Sequence, residues 1–125
     1  MCLTINKTFK TRKEAREFTK NPKIAEKDIR VYKVLTQDNY SPHFPMKYEK
    51  GFHYKEEKFS FEICRWYDIW EVSINKGLHS AKNIRKANFR VNCGYGDKIV
   101  IMYIPKGAKY FESNGEYVST ELVWY

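Results

Sequence analysis

The stretch Ile29-Arg-Val-Tyr-Lys-Val-Leu35 alternates between two sets of side chains with a period of two residues. This pattern predicts a strand whose core-facing side carries Ile29, Val31 and Leu35. Lys33 falls on that same apolar side. Two interpretations stay open for it: a lysine that belongs to a site, or a lysine near the open end of the strand whose ammonium reaches water.

Other strand patterns surround this one. Lys98–Ile104 is the most apolar stretch and predicts a central strand that is covered on both faces. Ser113-Asn-Gly115, between the strand-like runs Lys109–Glu112 and Glu116–Trp124, predicts a hairpin because Asn-Gly suits its tight turn. Two further strands are predicted at Phe59–Ile63 and Ile69–Ile74.

Two short helices complete the predicted fold. Thr11 and Glu14 have the spacing of a capping box, which predicts a helix over about Arg12–Lys20. Ser80 is a suitable N-cap for a second, basic helix over about Ala81–Phe89. We therefore expect an α+β fold for residues 1–125, a single compact domain with a largely antiparallel sheet and two short helices.

Composition limits the partners and the compartment. The net charge is +8, from 23 Lys and Arg against 15 Asp and Glu, and aromatic residues make up 17% of the chain. A positive field attracts anions such as nucleotides, nucleic acids and acidic proteins, although excess lysine also serves solubility. No apolar run is long enough for a membrane span, so no membrane partner is expected. The three scattered cysteines favour a reducing compartment such as a cytoplasm.

No familiar catalytic signature occurs in the sequence. A Walker-type glycine loop, a Gly-x-Ser-x-Gly elbow and a His-Glu-x-x-His helix are all missing. The histidines are His43, His53 and His79, and they lack the spacing of a zinc site. We therefore predict no metal and no cofactor, and we favour a binding protein over an enzyme.

Two clusters are candidate ligand sites. In the first, Gly77-Leu-His79-Ser80 opens the predicted basic helix, whose N-terminus offers N–H groups to an anion, and Arg85 follows one turn on. A plain capped helix is the alternative. The second cluster combines stacking tyrosines with phosphate-binding cations, as a nucleotide requires, or is a scatter of surface residues. It consists of Arg30, Tyr32, Lys33, Tyr48 and Lys106.

A turn-rich loop over Thr36–Met46 carries Tyr40, His43 and Phe44. Loops that a rigid scaffold positions often hold binding residues. This loop is therefore a further candidate for contact with a ligand.

The order of several short motifs resembles small accessory proteins of phages and gut bacteria. These motifs are Val31-Tyr-Lys-Val-Leu35, Ser41-Pro42, Tyr48-x-x-Gly51, Asn75-Lys-Gly-Leu-His-Ser80 and Ile104-Pro-Lys-Gly-Ala-Lys-Tyr110. The resemblance implies a protein that acts inside a bacterial cell against host defence. Such a protein sequesters cyclic-nucleotide or ADP-ribose signals, or binds a defence nuclease.

A weaker likeness is to ADP-ribosyltransferases. Arg30, the segment Leu78–Ser80 and Glu116 or Glu121 follow one another in the order of that family's three motifs. The chain departs from the family in lacking Ser-Thr-Ser and Glu-x-Glu. These departures argue against transferase activity.

Three functions therefore remain open. The first is a non-catalytic binder of a nucleotide-like anion. The second is an enzyme, either a small metal-independent ribonuclease with His79 as acid or base, or a transferase-like protein. The third is an inhibitor or module that binds nucleic acid or a host defence protein through the basic helix. A homo-oligomer that builds the site between subunits is compatible with all three.

Overall fold

The structure is a computed structural model that describes residues 3–42 and 44–125. In these residues it contains two helices, α1 (Arg12–Thr19) and α2 (Ile84–Asn92). The strands are β1 (Leu3–Thr4), β2 (Lys23–Ile24), β3 (Ile29–Leu35), β4 (Tyr40–Ser41), β5 (Phe44–Lys47), β6 (His53–Lys55), β7 (Ser60–Trp66), β8 (Ile69–Lys76), β9 (Leu78–Ala81), β10 (Lys98–Ile104), β11 (Lys109–Ser113), β12 (Glu116–Ser119) and β13 (Glu121–Val123).

Eight of the strands form one antiparallel sheet in the order β2-β11-β12-β9-β3-β10-β13-β6. Only Thr120 separates β12 from β13, yet β12 pairs with β9 and β13 pairs with β10, on opposite sides of β3. The sheet must therefore curl round on itself so that the β12–β13 segment closes a ring with β9, β3 and β10. Inside the ring lie fully buried side chains, among them Val31, Leu35, Met102 and Leu122.

A second core lies outside the ring. The three-stranded sheet β1-β8-β7 and α1 cover the outer side of β11 and β12. Val72 and Ile74 of β8 pack there with Phe111 and Val118, while the neighbouring Tyr117 belongs to the inner core. Successive side chains of β12 therefore point into different cores, one inside the ring and one outside it.

Several predicted elements are confirmed. Ile29–Leu35 is a strand, and it pairs along its full length with β10. Thr11 caps α1 by accepting a hydrogen bond from the Glu14 N–H at 3.2 Å. The hairpin between β11 and β12 turns at Asn114 and Gly115, whose φ angles are both positive, as the Asn-Gly turn requires.

The predicted balance of secondary structure needs correction, because the fold is mainly β with only two helices in the described part of the chain. The central strand β10 is fully covered on one face and partly covered on the other, with Met102 and Ile104 buried and Ile101 44% exposed. Its apolar run therefore reflects one buried face and one partly open face, rather than two buried faces.

Within residues 3–42 and 44–125, neither helix has the length and apolarity that a membrane crossing would need. The binding loop predicted at Thr36–Met46 forms the β4–β5 hairpin. His43, named for that loop, lies outside the described residues.

Candidate functional site

A cleft opens in the ring where β3 and β9 diverge. The two strands pair at a single position, Tyr32 with Ala81, and separate beyond it. The space between them, bounded also by the β4–β5 hairpin and α2, is a narrow, partly open cleft of about 80 Å³.

The structure brings five of the eight predicted binding residues together in this cleft. The five come from three separate segments of the chain, one of which, β9, was not predicted as a strand. They are Tyr32, Lys33, Tyr48, His79 and Ser80.

Lys33 is the buried cation of the cleft, with only 5% of its surface exposed. Its Nζ donates a hydrogen bond of 2.6 Å to the main-chain carbonyl of His79, so the side chain bridges the gap between β3 and β9. Nζ also lies 5.3 Å from the centroid of the Tyr48 ring. No carboxylate in the described part of the chain forms an ion pair with it.

Burial lowers the pKa of Lys33 to about 8, because the charged form loses its hydration without gaining an opposite charge. The interpretation that this lysine extends to water at the end of the strand is wrong, since Lys33 lies in the pairing with Val100 and points into the cleft. Its ammonium is a buried positive charge with one neutral hydrogen-bond acceptor.

The aromatic wall beside Lys33 is formed by Tyr48. The Tyr48 side chain is 1% exposed, and its ring lies 4.6 Å from that of Tyr54, measured between centroids. Burial raises the pKa of the Tyr48 hydroxyl, so the group stays protonated throughout the physiological range. Tyr32 and Tyr95 provide further ring surface on the same cleft.

A second group of charges lies where α2 meets β12. Arg90 Nε donates to Glu116 Oε1 at 2.8 Å, a second guanidinium N–H donates to the same oxygen, and Lys86 Nζ lies 3.8 Å from it. Glu116 is 6% exposed. Two cations thus share one buried carboxylate; Arg90 lines the cleft, and Lys86 approaches the same carboxylate from outside the lining.

The sequence did not predict that Arg90 lines the cleft, or that Lys86 lies close to the same carboxylate. Their spacing of four residues in the basic segment was the signal, because residues i and i+4 lie on one helix face. Their common partner Glu116 lies on a distant strand. No pattern in the local sequence indicates that pairing.

The predicted anion site at a helix N-terminus is wrong. Residues Leu78–Ala81 form a strand that pairs with Glu116–Ser119, and α2 begins only at Ile84. Asn83 is the N-cap, since its side chain accepts from the Lys86 N–H at 2.8 Å. Pairing with β12 satisfies the main-chain hydrogen bonds of β9. The helix α2 therefore begins after this strand, at Ile84.

Ser80 and His79 still reach the cleft, although from a strand. Ser80 is 8% exposed, and its Oγ has no hydrogen-bond partner among the residues that the structure describes. His79 lines the cleft, and its carbonyl accepts the hydrogen bond from Lys33. The cleft therefore includes an unpartnered hydroxyl group and a buried ammonium.

Three predicted binding residues lie outside the cleft lining. Arg30 is exposed on β3, and a hydrogen bond with Tyr103 raises the pKa of its guanidinium. Arg85 is exposed in the first turn of α2. Lys106 lies in the turn after β10, where its N–H donates to Asp28 Oδ1 at 2.9 Å.

The residues behind the likeness to ADP-ribosyltransferases are not gathered at one place. Glu116 lines the cleft, but Arg30 does not. Glu121 lies on β13, where its Oε1 is 2.8 Å from Nε2 of His53. The described residues contain no cluster of three His, Cys, Asp or Glu side chains that could hold a metal ion.

Comparisons of the chain with protein-family models, with curated proteins and with solved structures found no match.

Proposed function

We propose that this protein is a non-catalytic binder that captures a nucleotide-like anion in the cleft between β3 and β9. The observation that carries the proposal is the ammonium of Lys33, buried in the cleft without a carboxylate partner in the described chain. A buried charge is costly unless it is paired, so the cleft favours a ligand that brings the missing negative charge.

The charges on the opposite wall support the same ligand class. Arg90 and Lys86 share the single carboxylate of Glu116. Glu56, the other acidic residue of the lining, lies 3.4 Å from Lys76 Nζ. Arg90 therefore adds a second cation to the lining of the cleft. The unpartnered Ser80 hydroxyl would add a hydrogen-bond donor.

The tyrosines of the cleft favour a ligand that carries a planar group as well as a negative charge. Tyr48 is fixed by packing, and Tyr32 and Tyr95 offer partly exposed rings on the same cleft. Aromatic faces stack on nucleobases regardless of the base. Together with the cations, they suit a nucleotide or a cyclic nucleotide. Given the resemblance to phage accessory proteins, we propose sequestration of such a signal, against host defence, as the biological role.

The test is native mass spectrometry and titration calorimetry with a panel of cyclic nucleotides, nucleoside phosphates and ADP-ribose. We expect at least one of them to bind the wild-type protein. The variant Lys33→Gln should lose at least about tenfold in affinity, since a charged hydrogen bond of 1.5 kcal/mol or more is removed.

The matched control is Lys109→Gln, which removes an equal charge from an exposed position on β11. It should bind as the wild type does. Equal losses in both variants would point to a diffuse charge effect, and unchanged affinity in Lys33→Gln would contradict the proposed site. No binding by any compound of the panel would contradict the proposed function.

A further inference from the structure

We propose that Lys33 binds a carbonyl group of its ligand covalently, as a reversible imine, so that the captured nucleotide-like anion carries an aldehyde, as ADP-ribose does when its terminal ribose is open. This inference rests on the proposed function, because it assigns the ligand's reactive group within the same cleft. It adds a chemical step that non-covalent capture does not need.

The environment of Lys33 leaves its nitrogen able to react. Its hydrogen-bond partner is the neutral carbonyl of His79, and no carboxylate in the described ranges pairs with it. A carboxylate partner would hold the proton on the nitrogen. With a pKa of about 8, roughly a quarter of the amine is neutral at pH 7.5, against about 0.1% for an exposed lysine.

The step balances without an outside oxidant or reductant. The lone pair of neutral Nζ forms a bond to the carbonyl carbon, and the C=O π pair moves to oxygen. Both hydrogens of the amine then pass to that oxygen, which leaves as water while the C=N bond forms. Protonation of the imine restores the positive charge, so attraction to the ligand's anionic group persists.

The cleft offers groups that can move these protons. The Ser80 hydroxyl, which has no hydrogen-bond partner among the described residues, belongs to a residue that lines the same cleft as Lys33. The buried Tyr48 hydroxyl retains its proton, because burial raises its pKa. A largely enclosed nitrogen is also shielded from the water that reverses imine formation.

The test uses two probes that differ only at the reactive carbon. Pyridoxal 5′-phosphate has a planar ring, a phosphate and an aldehyde, whereas pyridoxine 5′-phosphate has an alcohol in place of the aldehyde. One equivalent of each is added to the wild-type protein at pH 7.5. Borohydride then reduces any imine, and peptide mass spectrometry locates it. We expect Lys33 to carry the label at least about tenfold more than exposed Lys109, given its larger neutral fraction.

A charge-conserving variant separates the two proposals. Lys33→Arg keeps the cation but has no nucleophilic amine, so we expect it to bind both probes weakly and to form no adduct at position 33. Even if this variant does not fold, the comparison of probes on the wild type decides the question. Equal binding of the two phosphates with no reduced adduct at Lys33, or a label spread evenly over surface lysines, overturns the imine and leaves anion capture standing. Failure of both probes and of every nucleotide to bind overturns both.

Discussion

Arg90 Nε donates a hydrogen bond to Glu116 Oε1 at 2.8 Å, and this contact joins α2 to β12 at the wall of the cleft. Glu116 is the first residue of β12 and pairs with Ala81 of β9. The same carboxylate therefore positions the helix and reduces the positive charge that faces the ligand. Its two effects oppose each other.

The variant Glu116→Gln should separate these effects. It leaves Arg90 partly buried without a counter-charge, and we expect the free energy of unfolding to fall by about 2 kcal/mol. Anion affinity should rise, because Arg90 and Lys86 are no longer neutralised. Urea denaturation and calorimetry measure the two quantities.

The control for that variant is Glu112→Gln. Glu112 pairs with Lys82 at 2.8 Å, but Lys82 is about half exposed. We expect a loss of less than about 1 kcal/mol and no change in affinity. A stable Glu116→Gln protein with weaker anion binding would contradict the assigned role of Glu116.

The variant Lys33→Met should stabilise the protein near neutral pH. A pKa of about 8, against the usual value of about 10.5, corresponds to a burial cost of about 3 kcal/mol. The variant also loses the hydrogen bond to the His79 carbonyl, which lowers its free energy of unfolding by about 1–2 kcal/mol. We expect a net gain of about 1–2 kcal/mol in urea denaturation at pH 7.

This gain should depend on pH in a defined direction. Between about pH 8 and pH 10.5 the unfolded chain binds more protons at Lys33 than the folded protein does. The stability of the wild type therefore rises with pH through that window relative to Lys33→Met, and the advantage of the variant disappears. A constant difference between the two proteins from pH 7 to pH 10 would show that the ammonium is not desolvated.

Gly77 lies between β8 and β9, and a side chain there should not fit. A Cβ at this position would lie 2.3 Å from Val118 Cγ1 and 3.1 Å from Phe59 Cδ1, at a φ of +148°. We expect Gly77→Ala to lower the free energy of unfolding by about 3 kcal/mol, from overpacking and backbone strain together.

The matched control is Gly107→Ala. Gly107 also has a positive φ, of +91°, but an added Cβ meets nothing within 4 Å. Its loss should be about 1 kcal/mol, the cost of the left-handed backbone alone. Similar melting temperatures for the two variants would mean that the contact with Val118 does not restrict position 77.

The corrected start of α2 gives a further test. Asn83→Ala should cost about 1 kcal/mol, because it removes the side-chain acceptor for the Lys86 N–H. Ser80→Ala should lower the free energy of unfolding by less than about 0.5 kcal/mol. The Ser80 Oγ has no hydrogen-bond partner among the described residues, so the variant loses no contact of this kind. Chemical denaturation followed by circular dichroism compares them. The opposite ranking would restore Ser80 as the helix cap.

Local patterns in the sequence placed Lys33 on the core-facing side of a strand, but they left open whether its ammonium is buried or reaches water. The alternation of Ile29–Leu35 put its side chain on the buried face of a strand, and the structure has it there. The Asn114-Gly115 turn and the Thr11 cap were predictable for the same reason. In each of them the deciding contacts lie within a few residues.

The remaining parts of the site depend on partners far away in the chain. Leu78–Ala81 resembles the start of a helix, but hydrogen bonds to β12 make it a strand. The apolar run of β10 predicted two covered faces, but Ile101 is 44% exposed. The pairing of Arg90 with Glu116 joins residues on different elements, so local sequence carries no sign of it.

The closure of the ring has a consequence for how the chain folds during synthesis. Strand β3 is made early, but its partner β10 and the closing segment around Thr120 leave the ribosome much later. Contacts between distant parts of a chain form slowly because a long loop must first be closed. Until residues 121–123 dock against β10, the nascent protein exposes unpaired strand edges, which are prone to aggregation. We therefore expect the ligand cleft to be among the last features to form, and a chaperone that shields β3 to raise the yield of active protein.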